Sequence, residues 1–311
     1  MNMQQLEYII AVDDCRHFVK ASEKCFITQA TLSMMIKKLE DELEIKIFDR
    51  SRQPVVPTEM GNKVIAQAKV ILRESKRLKE LVQEAQGELS GELKVGIIPT
   101  LAPYLLPLFI NSFLKKYPLV RLRISELTTA EIIDKLEKHD LDAGLLSTPL
   151  HSPSISEEAL FYEQFVVYAA TGEKILKKKY VLAKDIDVNR LCLLEEGHCL
   201  RSQAFNLCEL KNKKKELNQL DFATGSIETL KKIVEANAGI TILPMLALKD
   251  MSAKQKNNVR YFKDPVPVRE IGLVTYRYFV KEQLMQKFKE EILSHIPSEM
   301  KSSVKKNIVN I

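Results

Sequence analysis

No run of apolar residues in this chain approaches the roughly 18 that a bilayer-spanning helix needs, so no membrane span is expected in its 311 residues. The opening stretch, "MNMQQLEYIIAVDDCRHF", has neither a basic start nor a long apolar segment, so no secretory signal is expected either. There is no low-complexity tract and no repeat of solenoid period. The five cysteines, Cys15, Cys25, Cys192, Cys199 and Cys208, include no CxxC pair, and no His/Cys spacing suits a zinc site. Neither a metal nor another cofactor is therefore expected. A cytosolic location is the expectation, and structural disulfides are rare there. The cysteines thus read as thiols by default. Cys15, Cys25 and Cys192 fall within helical or strand patterns and are expected in the core.

The composition is 45% hydrophobic and 28% charged, enough apolar material for a core with a soluble surface. The length allows two or three domains. A net charge of +6 suggests an anionic partner. Its distribution does not locate one: residues 1–88 hold fourteen Lys/Arg and fourteen Asp/Glu. The excess lies later, in "KILKKKY" and "KNKKKE", which read most simply as solvated surface.

Leu6, Ile9, Ile10 and Asp13 mark a first amphipathic helix, and Phe18, Ala21 and Cys25 a second over 17–25. Thr28 can cap a third, "QATLSMMIKKLEDEL", with Leu32, Ile36, Leu39 and Leu43 facing inward. "EIKIFDRSRQPVVPTEMG" then offers two short strand-like pieces around a turn. Three helices and a hairpin make a winged helix-turn-helix, in which the third helix enters the DNA major groove. Gln29, Thr31, Ser33, Met34 and Lys37 are its exposed candidates, with Thr28 at its start. Arg50 and Arg52 flank the hairpin turn and suit phosphate or minor-groove contact. Residues 15–38 carry five cations, Arg16, Lys20, Lys24, Lys37 and Lys38, against Glu23 alone. Ordinary helical packing remains the alternative at this stage.

The segment that follows runs without proline, and Val64, Ala68, Ile71, Ser75, Leu78, Val82 and Ala85 alternate spacings of four and three. That is a heptad seam, which predicts helix pairing along a rod roughly 38 Å long. A dimerising rod strengthens the DNA reading, because dimers address paired half-sites.

After Gly87, strand and helix patterns alternate: "ELKVGIIP", "YLLPLFINSFLKKYP", "VRLRISEL", "AEIIDKLEKHD" and "LDAGLLS". This predicts a parallel sheet flanked by helices. A second set comprises "RLCLLEEG", a helix near 200–210, "LDFATGS", "IETLKKIVEANAG" and "ITILP". Apolar stretches 164–170 and 270–277 are expected to cross between the sets, and a last helix near 281–295 to return to the first. The tail "KSSVKKNIVNI" is expected to be disordered. The expected organisation is a winged helix-turn-helix head at 1–60, a linker helix at 61–88 and a two-lobed α/β domain, periplasmic-binding-protein-like, at 89–311. Its first lobe takes about 89–164 and 268–300, its second about 165–267. Strand-to-helix junctions at Thr100, Thr128–Thr129, Cys199 and Ser226 should converge on the cleft between lobes, where ligands bind in such sheets.

"EEGHCLRSQAFNLCEL" places Cys199 at one of those junctions and Cys208 nine residues on. Helix N-termini and neighbouring cations lower a thiol's pKa. His198 and Arg201 act that way, while Glu195 and Glu196 oppose it. An activated thiolate attacks the O–O bond of a peroxide to give sulfenic acid, which a second thiol converts to a disulfide. Hydroxyls such as those of Thr100 and Thr129 can bond the departing oxygen. A disulfide needs Cα atoms roughly 4.4–6.8 Å apart, whereas nine residues of helix span roughly 13.5 Å. The pair can therefore close only if the segment bends or refolds. Two idle thiols remain the competing reading.

"FVKASEKCFITQATLSMMIKKLEDELEIKIFDRSRQPVVPTEMG" resembles the DNA-binding head of LysR-type transcriptional regulators. "GELKVGIIPTLAPYLLP", "LLEEGHCLRSQAF" with the later Cys208, and "SIETLKKIVEANAGITILP" resemble the hydrogen-peroxide-sensing branch of that family. The resemblance implies that Cys199 is the peroxidatic cysteine and Cys208 the resolving one. It implies that Thr100, Thr129 and His198 place peroxide and stabilise the thiolate, and that Arg269 supports the pocket. It further implies promoter DNA as partner, hydrogen peroxide as signal, a homo-tetramer built as a dimer of dimers, RNA polymerase recruitment and a cellular thiol reductant. Ala30 stands where the family usually has proline, Met34–Met35 where it has polar residues, Ser202 where this motif has an acid, and "KNKKKE" where an acidic stretch is expected. The rival functions are a LysR-type regulator holding a small organic anion in the cleft, and a thiol peroxidase, which leaves residues 1–88 unexplained.

Overall fold

The computed structural model describes residues 1–85, 89–150, 152–208, 224–236, 239–277, 281–302 and 306–310. The chain divides into two units, Met1–Glu88 and Leu89–Ile311.

The first unit opens with α1 (Met3–Cys15), where Asn2 and Gln5 form a capping box, and α2 (Phe18–Lys24), capped by His17. Thr28 caps α3 (Gln29–Glu42) through its hydroxyl. Leu32, Ile36 and Leu39 recur at helical spacing and are fully buried against Leu6, Ile9, Val12 and Ala21. Each such side chain contributes roughly 2 kcal/mol by leaving water. Leu43 departs from the inward expectation: it lies at the helix end, where the stripe rotates off the core, and is exposed. β1 (Phe48–Asp49) and β2 (Val56–Pro57) pair antiparallel as the wing. The buried carboxylate of Glu40 ties this hairpin to α3, accepting the backbone N–H groups of Ile47 and Phe48. α4 (Glu59–Ala85) completes the unit. Its Ile65 and Ala68 are buried, and Val64, Ile71 and Leu72 pack at the edge of the same core, against α1.

The second unit alternates β3 (Gly91–Ile97), α5 (Ala102–Lys116), β4 (Val120–Glu126), α6 (Thr129–Glu137), β5 (Ala143–Thr148) and β6 (Ile155–Ala169). It continues through β7 (Tyr180–Val181), α7 (Cys199–Leu207), α8 (Ile227–Ala236), β8 (Ile240–Pro244), α9 (Ala253–Lys256), β9 (Val259–Phe262), β10 (Val266–Tyr276), α10 (Glu282–His295) and β11 (Lys306–Ile308). The strand order is β4-β3-β5-β10-β6-β9-β7, with β8 also on β6 and β11 on β10. β4, β3 and β5 are parallel, and β10 runs antiparallel between β5 and β6. β6 carries the crossing between lobes: Ile155–Gln164 pair with β10, and Phe165–Ala169 with β8 and β9. The fold is the two-lobed α/β architecture expected, with the return crossing just ahead of β10 rather than within 270–277.

Two expectations fail. "RLCLLEEG" forms no strand: the chain makes one isolated bridge, Leu191 to Ile240, before Gly197 turns it at φ +91°. Within the tail, residues 306–308 form a strand. β11 pairs parallel with β10, Val309 is buried, and its N–H donates to Val268 O at 2.8 Å. The alternation of Ile308 and Val309 between solvent and core, under the open edge of β10, outweighs the polar composition that suggested disorder. "LDFATGS" and "KNKKKE" lie largely or wholly outside the described residues, and Thr224 to Ser226 are not in a strand.

Candidate functional site

Cys199 opens α7, with His198 as the N-cap residue and Gly197 supplying the turn before it. The thiol is buried beside the first residue of α6, Thr129, whose Oγ1 lies 2.7 Å from Sγ. This contact joins the two lobes. Thr100 precedes α5 and is buried. Its hydroxyl accepts from Arg269 Nη1 at 2.9 Å and its carbonyl from Nη2 at 3.1 Å. Arg269 comes from β10 and is fully buried. Four of the residues singled out, Thr100, Thr129, Cys199 and Arg269, are thus brought to one place from four elements.

His198 is buried next to them, its Nε2 3.6 Å from Glu195 Oε1. Both lie against Gly225, where an added Cβ would come 2.8 Å from His198 Nε2. The loop before α8 is therefore shaped around the imidazole. Arg201, expected to act on Cys199, turns away. It donates to Leu194 O at 2.7 Å and lies over the Phe205 ring. The cation that reaches the thiol is Arg269, seventy positions along the chain.

Burial pushes the Cys199 thiol up, opposed by the Thr129 hydrogen bond and the Arg269 charge. Burial alone pushes Cys208 up to about 11. Both are free thiols. Cys208 is the C-cap of α7, and its N–H donates to Ala204 O. The structure therefore separates the two sulfurs by the whole of a helix. Phe205 and Leu207 pack at the edge of the core.

Sequence reasoning missed several groups around α7. Gln203 is fully buried, donates to Val309 O at 3.3 Å, and leaves its Oε1 buried without a partner among the described residues. Asn206 donates to Asn310 O at 3.0 Å. Glu163 is fully buried against Arg269. Its only signal was a lone carboxylate in the apolar run "LFYEQFVVYAA". Cys15, Cys25 and Cys192 sit half-buried at core edges rather than inside: Cys15 ends α1, Cys25 follows α2, and Cys192 lies outside any strand. Among the described residues no group of three His, Cys, Asp or Glu could hold a metal ion, and no helix is long and apolar enough to cross a membrane.

In the first unit Gln29, Met34 and Lys37 are exposed on α3, and Thr31 and Ser33 are half-buried. Thr28 spends its hydroxyl on Thr31, 2.8 Å away. Arg50 is committed within the fold: Nη1 donates to Ser33 Oγ at 2.9 Å, Nη2 lies 3.4 Å from Glu40, and the guanidinium covers Phe18. It couples the wing to α3 while remaining at the surface. Arg52 is exposed and paired with Asp49 at 3.2 Å. Arg16, Lys20, Gln29, Ser33, Arg50 and Arg52 border one open hollow of about 520 Å³. On α4, Val64, Ala68 and Ile71 face the unit's own core, Leu78 is exposed, and the Val82 side chain lies outside the described residues.

Known proteins are similar to this chain in sequence and fold. Residues 3–62 match the bacterial regulatory helix-turn-helix protein, lysR family, and residues 86–297 match the LysR substrate binding domain. The hydrogen peroxide-inducible genes activator of Haemophilus influenzae is 32% identical over 304 residues, covering 97% of this chain and 98% of that one. The DNA-binding transcriptional dual regulator OxyR of Escherichia coli is 33% identical over 313 residues, covering 98% and 100%. A full-length OxyR variant from Pseudomonas aeruginosa superposes with a TM-score of 0.75 at 30% identity, covering 95% of this chain and 99% of its own. The chain belongs to the LysR family of bacterial helix-turn-helix transcriptional regulators.

Proposed function

We propose that this regulator is a cytoplasmic transcriptional activator switched by hydrogen peroxide through Cys199. The observation that carries the reading is the Cys199 sulfur, buried at a helix start within 2.7 Å of the Thr129 hydroxyl and within the field of Arg269. Relatives named for peroxide induction, similar over nearly the whole chain, support it. In the first step the Cys199 sulfur attacks one peroxide oxygen as the thiolate. The O–O bond breaks, the distal oxygen leaves as water after taking a proton, and Cys199 becomes sulfenic acid. The hydroxyls of Thr100 and Thr129 donate to the oxygen that acquires charge. In the second step Cys208 attacks the sulfenic sulfur, releasing a second water and forming the 199–208 disulfide. Because the two cysteines stand at opposite ends of α7, this bond requires the helix to unwind. A thiol reductant restores the pair. The head addresses promoter DNA, with Gln29, Thr31, Ser33, Met34 and Lys37 at base edges and Thr28, Arg50 and Arg52 near the backbone. Val64, Ala68 and Ile71 are taken up by the head's own core, so pairing along α4 would use its later part, at Leu78 and Val82, to build dimers, two of which form a tetramer that recruits RNA polymerase.

Peptide mass spectrometry after brief peroxide exposure, with DNA footprints of both forms, tests this. The expected result is a 199–208 linkage with an altered footprint, lost in Cys199→Ser. An unlinked pair with an unchanged footprint would refute it.

A further inference from the structure

Among the described residues Glu163 is the one fully buried carboxylate at the pocket, and the reaction described above leaves it unused. It stands on β6 directly across from Arg269 on β10, the two residues being register partners. Both carboxylate oxygens are occupied. Oε1 accepts from Leu246 N at 2.7 Å, and Oε2 accepts from Arg269 Nε at 2.9 Å with Nη2 in ion-pair contact at 2.7 Å. Arg269 passes the chain on to the hydroxyl and carbonyl of Thr100.

The polarity of every bond in this chain is fixed by chemistry. An ionised carboxylate only accepts, and a guanidinium only donates. A threonine hydroxyl has one hydrogen and two lone pairs. With Arg269 donating to its oxygen, Thr100 keeps its hydrogen for another acceptor. Glu163 thus acts on the pocket at second hand, by fixing the arginine that turns Thr100 into a donor.

Charge gives Glu163 a second effect. A guanidinium removed from water without a counter-ion is heavily penalised, and a thiolate nearby would be its natural partner. Glu163 already fills that place. We propose that Glu163 is a positioning residue for the reaction at Cys199, holding Arg269 on Thr100 and dividing the arginine's charge between its own carboxylate and the cysteine sulfur. The proposal rests on Cys199 being the reacting thiol.

The other titratable groups on α7 and on the neighbouring α6 and α8 are otherwise engaged. On its own helix Arg201 bonds Leu194 O, and ahead of it His198 faces Glu195. From α6, Glu131 closes the capping box with Thr128. From α8, Glu228 is shared by Tyr104 and the buried Lys231.

The test is the pH dependence of Cys199 alkylation by iodoacetamide in the reduced full-length chain, read on the Cys199 peptide by mass spectrometry. Glu163→Gln removes the charge, so the alkylation midpoint should fall by about one pH unit, or about tenfold in thiolate at a fixed pH below it. Glu163→Asp shortens the side chain but keeps the charge, so its midpoint should stay near wild type. An unchanged or higher midpoint in folded Glu163→Gln, or an Asp variant that behaves as the Gln variant does, overturns the proposal. Gln cannot accept at both of the positions that Leu246 and Arg269 occupy, so folding is checked by circular dichroism. Should that variant not fold, Glu163→Leu with Arg269→Met removes both charges into an apolar pair. Its midpoint should then lie above wild type, and an unchanged one overturns the role. Oxidation of wild-type Cys199 by peroxide without these shifts defeats the role of Glu163 alone. The shifts without oxidation defeat the peroxide reading and leave the charge relation standing.

Discussion

Closing the 199–208 bond would destroy α7, and the cost of doing so should appear in the reduction potential. Nine helical steps separate the Cα atoms by roughly 13.5 Å, and a disulfide tolerates at most roughly 6.8 Å. The segment must therefore shorten by roughly 7 Å, half its length, which no helix permits. Ser202 is the one exposed residue within it and, among the described residues, bonds no other element. Replacing Ser202 by Ala or by Gly therefore alters helix propensity and little else. The two substitutions differ by about 1 kcal/mol in a helix interior. For a two-electron couple about 1.4 kcal/mol corresponds to 30 mV, so the variants should differ by about 20 mV. The sign follows from which form is helical. Ala stabilises the reduced protein and makes the couple more oxidising; Gly makes it more negative. Titration in glutathione buffers, with the 199–208 linkage read by peptide mass, measures the difference. Coincident midpoints for Ser202→Ala and Ser202→Gly would show that α7 survives oxidation, and the refolding argument would fail.

Ending the chain after Ser302 removes the acceptors of Gln203 and Asn206. At about 1 kcal/mol per bond the reduced form weakens, and the potential should become roughly 40 mV more negative; an unshifted potential would mean that the tail does not restrain α7. Cys208, raised to about 11 by burial, should alkylate slowly in the folded reduced chain, rising with pH toward that value and far faster once urea exposes it. Its folded pKa lies above its unfolded one, so the stabilisation it lends α7 is complete below the ordinary thiol range and is lost as pH climbs through about 11. Once the intrinsic base catalysis of exchange is divided out, the protection of residues 199–208 should fall across that window in wild type and not in Cys208→Ser.

How far the sequence revealed these features depended on how local they were. The start of α3 is legible because Thr28 and the Leu32, Ile36, Leu39 stripe are decided within three turns. The start of α7 is legible for the same reason, a glycine at positive φ followed at once by a helical run. Glu163 meets Arg269 only through the register of β6 on β10, across 106 positions. No local pattern encodes such a register, and a single carboxylate in an apolar strand gives only a hint. Arg201 misled for the complementary reason. Proximity in sequence to Cys199 suggested a shared environment, but two residues of helix rotate a side chain by about 200°. The tail misled because lysines and serines outnumber its apolar residues, while two alternating side chains and an unpaired strand edge were enough to dock it.

The tail, the helix and the arginine also form one mechanical circuit. Val309 N bonds Val268 O, and Val268 immediately precedes Arg269. Val309 O and Asn310 O hold Gln203 and Asn206 on α7. The reduced pocket is therefore closed twice: through Thr129 to the sulfur itself, and through the tail from the helix back to the strand carrying the arginine. Oxidation of Cys199 would alter the first closure at one atom. Capture of Cys208 would break the second, since α7 cannot unwind and keep both tail bonds. Sulfenic acid alone should then leave Gln203 and Asn206 seated, and only the disulfide should release β11 from its place beside α7. In the proposed sequence of steps Cys208, rather than the peroxide reaction itself, would be the point at which a chemical event becomes a change of fold.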